Sequence, residues 1–393
     1  MVSFEEAFEI VISSARRLGT EHVSILDNGA LNRVLREDIA SDIDIPPFNK
    51  SAMDGFACRR ADLGNELTVI EAIAAGWTPK RAIGRNQCAK IMTGAVVPEG
   101  ADCVVMVEYA KRTGENKIEF TGDSTQDNIR HKGEDAKKGD LVLHAGELIR
   151  AQHIAVLASI GCVEPLVSAR PSVGIVATGD ELVAPTAEPA PWQIRNSNSY
   201  QLSAQTANVG VSANNYGIVA DTKTDINAIL KRALSENDVL ILSGGVSVGD
   251  YDFVKDILRQ NRVNLLLERV AVKPGRPMVF GVSDEGFCFG LPGNPVSTFI
   301  MFELFVRPFL FKMMGHDFEP VVSQRQLKGT ITRKNVERDS WLPVAFTGNS
   351  GVVKVEYHGS AHINALCKAD GLLCIPAGVA EVKEGTTVAV RQI

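Results

Sequence analysis

Apolar side chains recur at helical spacing at the start of the chain. Ser3 and Glu6 have the spacing of a capping box, and apolar positions follow every three or four residues from Phe4 to Leu18. Gly19 ends this pattern. The spacing predicts an amphipathic first helix. A second helical pattern over 149–160 predicts another helix, one that packs back against the first.

The pattern changes between residues 46 and 139. Short apolar runs, such as 67–73 and 103–107, alternate with turns rich in Gly, Asn and Asp. This alternation predicts a small all-β module. Helical segments at 1–45 and 140–170 flank it, so we interpret the module as an insertion into an N-terminal helical domain.

Residues 171–318 alternate apolar strands with helices, a pattern that predicts a doubly wound, mostly parallel α/β domain. After Pro320 the chain is rich in strands and Gly turns, which predicts a C-terminal β domain over 319–393. The predicted strands of the α/β domain are 172–178, 238–242, 265–272, 278–282 and 287–291. Its predicted helices are 197–207, 225–234, 253–258 and 296–314.

Composition narrows the function classes. Of 393 residues, 47 are acidic and 41 basic, giving a net charge of −6, and this balance argues against a nucleic-acid partner. The apolar stretch 299–314 contains Glu303, Arg307 and Pro308, which argues against a membrane span. Seven scattered cysteines without a CxxC pair, and a start that lacks the features of a signal peptide, indicate reduced thiols in a cytoplasmic protein.

A glycine-rich loop follows the strand at 238–242 and precedes a helix. It starts at Ser243, and Gly244, Gly245 and Gly249 allow backbone N–H groups to approach an anion. Asp250 and Asp252 would repel that anion unless Mg²⁺ lay between them and a phosphate. The alternative is a tight turn capped by aspartate.

Two further loops, 178–182 and 290–295, follow other strands of the same predicted sheet. Because the carboxyl ends of parallel strands lie at one edge, we expect the three loops to form one cleft. Glu181 is then a carboxylate that binds the metal directly or lies next to its ligands. The alternative is an ordinary acidic residue that caps a helix or turn. Lys273 and Arg276 flank a Pro-Gly turn that suits an oxyanion, unless the pair forms a structural ion bridge with Glu268 or another acid.

The β module also carries polar groups on loops that contain glycine. These are Asp54, Thr93, Glu134 and Asp135. Taken singly, each of their loops is an ordinary turn.

Taken together, these motifs resemble the MoeA family of molybdopterin molybdenumtransferases, which includes the E domain of gephyrin and its plant counterparts. The resemblance follows the family's order to about residue 315 and continues more loosely to the end. The motifs that carry it are PPFNKSAMDGFA, IMTGAVVPEGADCVV, GEDAKKGD, TGDEL, NSNSYQL, SGGVSVGDYD, KPGRP and GLPGNPVST.

The resemblance implies an elongated homodimer of four-domain chains and a shared active site. The implied reaction joins molybdate to adenylylated molybdopterin, with Mg²⁺ assisting and AMP released. Transient contacts with other cofactor-assembly proteins are also implied.

The resemblance assigns residues to this reaction by motif. The implied catalytic residues are Asp54, Thr93, Asp135, Glu181 and Asp252, and the implied metal ligands are Glu181, Asp250 and Asp252. The implied substrate-binding residues are Asp221, Ser243, Gly244, Gly245, Ser247, Gly249, Lys273, Arg276, Pro292, Pro295, Ser297, Arg338 and Ser360.

The chain departs from the family pattern at several of these motifs. Asn49-Lys50 stands where Asp-Asn is more frequent, Asn196 where Asp is common, and Arg276 where Lys is usual. Arginine keeps the charge but changes the donor geometry, so anion affinity is expected to differ.

Two other functions stay open. One is a molybdopterin adenylyltransferase, which would share the α/β core but usually lacks the other domains. The other is a non-catalytic scaffold like the gephyrin relatives, which would have no need to retain Asp54, Asp252 and Lys273 together.

Overall fold

The computed structural model describes residues 1–245 and 253–393. The chain divides into two compact units. The first comprises Met1–Arg36, Gly146–Ala151 and Glu164–Ile393, and the second comprises Glu37–Ala145 and Gln152–Val163. The four domain ranges expected from the sequence are finer than this division and stay a prediction.

The second unit is built on a mixed sheet, which confirms the β module. Each of the two strands predicted from apolar runs agrees with an observed strand to within one residue. Two short ribbons, Lys50–Ser51 with Ile129–Arg130 and Ile39–Ala40 with Leu141–Leu143, accompany the sheet. The sheet order is Cys103–Met106, Gly55–Cys58, Gln87–Ile91, Leu67–Ile73, Lys117–Phe120 and Ala110–Gly114.

The first unit contains the predicted α/β domain. The first four strands of its sheet pair in parallel, and only Val279–Val282 runs in the opposite direction, antiparallel to both of its neighbours. This confirms a doubly wound, mostly parallel sheet. The central strands are buried at every position because helices cover both faces. The sheet order is Ala213–Val219, Val173–Thr178, Val239–Ser243, Phe287–Leu291, Val279–Val282 and Asn264–Leu267.

Two sets of helices sandwich this sheet. Lys223–Glu236 and Val254–Gln260 pack on one face, and Asn198–Asn208 packs on the other together with a long C-terminal run. That run matches the predicted helix at 296–314. It passes from Pro295–Met301 through a π-helical turn at Phe302–Val306 into Arg307–Met314.

The first helix is shorter than predicted. The Ser3 hydroxyl accepts the Glu6 amide at 3.1 Å, which confirms the cap, but the helix spans only Phe4–Ser13. Ser13 and Ser14 donate their hydroxyls to the Ile10 carbonyl, and serine side chains compete with the helical backbone in this way. The other predicted N-terminal helix is observed at Ala151–Ser159.

The C-terminal segment forms the predicted β domain. Its sheet order is Val272–Lys273, Asp339–Thr347, Gly351–Lys354, Val322–Leu327, Thr387–Gln392 and Gly371–Ile375. The remaining paired strands of the first unit are Thr20–His22 with Leu166–Ser168, Leu182–Val183 with Ile194–Arg195, and Ile331–Thr332 with Glu381–Val382. Within the described residues, no helix has both the length and the apolar character needed to cross a membrane.

Candidate functional site

A cleft of about 620 Å³ lies at the carboxyl end of the parallel strands in the first unit. The cleft is lined by Thr178, Ser243 and Pro292, each of which ends or directly follows one of those strands. The loops therefore converge, as their positions in the sequence predict.

Gly244 and Gly245 allow their loop to pack closely against Thr178, at the end of the neighbouring strand. Gly244 and Gly245 adopt φ values of +96° and +64°. A Cβ atom on Gly244 would lie 2.5 Å from the Thr178 carbonyl oxygen, and one on Gly293 would lie 3.8 Å from the Gly244 Cα. Side chains at Gly244 would therefore separate the loops.

The remainder of the glycine-rich loop, residues 246–252, falls outside the described residues. Four predicted site residues lie there and stay predictions. They are Ser247, Gly249, Asp250 and Asp252.

Asn198 connects two of the cleft loops. Its Nδ2 donates to the Ser243 hydroxyl and to the Gly293 carbonyl, both at 2.7 Å. The side chain is only 8% exposed, at the start of the helix Asn198–Asn208. Asn196, two residues before that helix begins, accepts the Ser199 amide on its Oδ1 at 3.1 Å. The motif NSNSYQL contributed to the family resemblance, but its residue spacing gave no sign of the link to Ser243.

Carboxylates crowd one side of the cleft. Glu181 and Asp221 line it, and Asp180 Oδ1 accepts the Asp221 amide at 3.0 Å. Burial, followed by repulsion from Asp180 and Glu181, raises the pKa of Asp221. A cation would relieve this repulsion, so the carboxylates fit the chemistry of Mg²⁺. Among the residues the structure describes, no group of three or more His, Cys, Asp or Glu side chains is arranged to hold a metal.

The turn with Lys273 and Arg276 presents both cations to solvent. Within the described chain neither makes an ion pair, whereas Glu268 pairs with Arg259 and lies 3.9 Å from Lys255. The bridge with Glu268 is therefore not formed by this turn. Pro277, the next residue, lines the cleft.

The C-terminal β domain brings Ser360 to the cleft. Asn294 Nδ2 donates to the Ser360 hydroxyl at 2.8 Å, and neighbouring Ala361 lines the cleft with Pro295. Arg338 Nη1 donates to the Val272 carbonyl at 3.3 Å, beside the Lys273 turn.

Ser297 lies in the first turn of its helix and is 3% exposed. It is not among the residues that line the cleft in the described structure. Its assignment to an oxyanion pocket stays a prediction.

The polar residues of the second unit also come from neighbouring loops. Thr93 donates its amide and its hydroxyl to Asp54 Oδ1, and these bonds lower the pKa of Asp54. The Asp135 amide donates to the Ile45 carbonyl at 2.9 Å. Glu134 accepts the His131 amide and pairs with Arg130, so it supports its own loop.

Three family models match successive parts of the chain. They are described as the MoeA N-terminal region (domain I and II), the probable molybdopterin binding domain and the MoeA C-terminal region (domain IV). The residues matched are 2–161, 174–312 and 329–393.

Curated relatives and solved structures agree with these models. A molybdopterin molybdenumtransferase of Staphylococcus epidermidis is 34% identical over 99% of this chain and 97% of its own length. One from Staphylococcus aureus is 34% identical over 98% and 94%. The crystal structure of the molybdopterin biosynthesis MoeA protein from Pyrococcus horikoshii OT3 matches all of both chains, with 30% identity and a TM-score of 0.83.

Proposed function

We propose that this chain, which belongs to the MoeA family and acts as a transferase in molybdenum cofactor biosynthesis, inserts molybdenum from molybdate into adenylylated molybdopterin. In the proposed reaction the phosphoanhydride bond breaks, water supplies the oxygen, and AMP leaves. The dithiolene sulfurs replace oxygen ligands of the molybdate, which leave as water.

The observation that carries this proposal is the convergence of the glycine-rich loop that starts at Ser243 and the loop at 290–295 on one cleft. Backbone N–H groups of a glycine-rich loop suit phosphate oxygens, and such clefts bind ligands beyond the carboxyl ends of parallel strands. The Lys273 and Arg276 turn carries two cations without ion-pair partners in the described structure, which suits a tetrahedral oxyanion.

We propose Mg²⁺ as the cation of this site, held by Glu181 with Asp250 and Asp252. When bound, it would neutralise charge on the phosphoanhydride. Asp221 lies beside Glu181 in the cleft, and its raised pKa marks a place where a cation is favourable. AMP release that continues unchanged in EDTA would remove the basis for these metal assignments.

We further propose a cytoplasmic homodimer that shares its active sites and contacts other cofactor-assembly proteins transiently. The resemblance to the family supports this assembly. Inactive Asp54→Ala and inactive Asp221→Asn proteins, mixed under conditions of subunit exchange, should then recover part of the activity. No recovery after exchange has been verified would contradict a shared site.

One assay distinguishes the alternatives. An adenylyltransferase would consume ATP and unmodified molybdopterin and release pyrophosphate, whereas a scaffold would process neither substrate. The proposed transferase consumes adenylylated molybdopterin and molybdate without ATP.

A further inference from the structure

Asn198 has a hydrogen-bonding geometry that the site assignments above do not use. Its Nδ2 faces the Gly293 carbonyl, which can only accept, so the orientation of the amide is fixed. One Nδ2 proton serves that carbonyl and the other serves the Ser243 hydroxyl. Thr298 Oγ1 is more distant, at 3.5 Å.

This arrangement determines the direction of the Ser243 hydroxyl. Because Ser243 Oγ accepts from Asn198, its own proton must be donated elsewhere. No described residue takes that proton, and Ser243 lines the cleft. The Ser243 hydroxyl can therefore donate its proton to a ligand bound in the cleft.

The Asn198 amide is only partly satisfied by the described residues. Its Oδ1 is buried and has no hydrogen-bond partner among the described residues. A buried acceptor without a partner costs stability. The residue nonetheless joins the start of the glycine-rich loop, at Ser243, to the loop at 290–295, at Gly293.

We infer that Asn198 is a positioning residue, which holds these two loops in register and directs the Ser243 hydroxyl toward a phosphate oxygen of the nucleotide part of the substrate. The inference rests on the proposed function. A hydroxyl donating to a phosphate oxygen is charge-assisted, and its loss should weaken nucleotide binding on the order of tenfold or more.

The first test is a double-mutant cycle on AMP binding, measured by calorimetry. Ser243→Ala and Asn198→Ala should each raise the dissociation constant of AMP, and the double variant should bind AMP no more weakly than the weaker-binding single variant. Ser203→Ala is the matched control because Ser203 lies on the same helix and donates to the Ser199 carbonyl. Additive effects would overturn the inference.

The second test uses Asn198→Asp and keeps the inference testable if the alanine variant does not fold. A buried aspartate has a raised pKa, and only its protonated form can donate to the Gly293 carbonyl. AMP binding by this variant should therefore fall as pH rises through that pKa, relative to the wild type. A constant ratio between the two proteins across pH would contradict the role of Asn198.

The outcomes separate the two proposals. A wild-type protein that binds AMP but releases none from adenylylated molybdopterin contradicts the proposed function and leaves the cycle interpretable. A wild-type protein that releases AMP while the cycle is additive contradicts only the role of Asn198.

Discussion

Thr93 donates both its amide and its hydroxyl to one oxygen of Asp54, at 2.6 and 2.8 Å. These bonds stabilise the carboxylate and hold the pKa of Asp54 below its ordinary value. The stability that they contribute is present above the unfolded pKa and is lost as pH falls through the folded pKa.

Replacing Thr93 with alanine should raise the pKa of Asp54 because it removes the hydroxyl donor and leaves the amide. Thr93→Ser keeps both donors and is the control. NMR titration of the Asp54 carboxyl carbon measures the effect. Identical titration curves for the alanine and serine variants would contradict the assigned bond.

Asp221→Asn should stabilise the protein at neutral pH while it abolishes AMP release. Since the pKa of Asp221 is raised above its ordinary 3.8, the folded state binds the proton more tightly than the unfolded state does. Stability is therefore lost as pH rises from about the ordinary value through the raised one. Asparagine at this position removes the loss. The melting temperature of Asp221→Asn should therefore exceed that of the wild type at neutral pH, and the difference should shrink toward pH 4.

Mg²⁺ should also raise the melting temperature of the wild type more than that of Asp221→Asn. Glu188→Gln is the charge-matched control because Glu188 is exposed. It should show no stability gain at neutral pH and a wild-type response to Mg²⁺. An Asp221→Asn protein that behaves like this control would contradict the interpretation that repulsion among crowded carboxylates raises the pKa of Asp221.

Gly244→Ala should destabilise the fold more than Gly217→Ala does. Both residues have positive φ, at +96° and +82°, so both substitutions strain the backbone. Only at Gly244 would the new Cβ meet a carbonyl oxygen, that of Thr178, at 2.5 Å; at Gly217 it meets open space. Urea unfolding should show a difference of more than about 1 kcal/mol between the variants. Equal losses would contradict the close approach of the loops.

Alanine at Lys273 or Arg276 should raise the molybdate concentration needed for half-maximal rate. A charge-assisted contact to an anion predicts an increase of roughly 10- to 150-fold. The melting temperature should barely move, because neither cation is ion-paired within the described residues. Lys255→Ala is the control, since Lys255 faces Glu268 at 3.9 Å and should leave the molybdate requirement unchanged. Destabilisation without a change in molybdate dependence would reject the oxyanion assignment.

The sequence predicts most of the α/β domain because its central strands are continuous apolar runs. It does not reveal the edge strand Ala213–Val219, where Asn214, Asn215 and Gly217 interrupt the apolar pattern. An edge strand has a single neighbour, and here Asn214 donates to Asn237 instead of joining an apolar core. Polar contacts of this kind have no periodic signal.

The candidate site, like the α/β domain, is predictable from the sequence only in part. Loops at the ends of strands can be located from the sequence because sheet topology brings them together. The role of Asn198 depends on bonds to residues 45 and 95 positions away, so no local spacing reveals it.

The most direct test of the account is the dependence of AMP release on molybdate. Purified protein is supplied with Mg²⁺ and adenylylated molybdopterin, without ATP, and AMP and molybdenum-bound pterin are quantified with and without molybdate. We predict that AMP appears only when molybdate is added, in equal amount to the molybdenum-bound pterin. AMP release at the same rate without molybdate, or no release in its presence, would contradict the account.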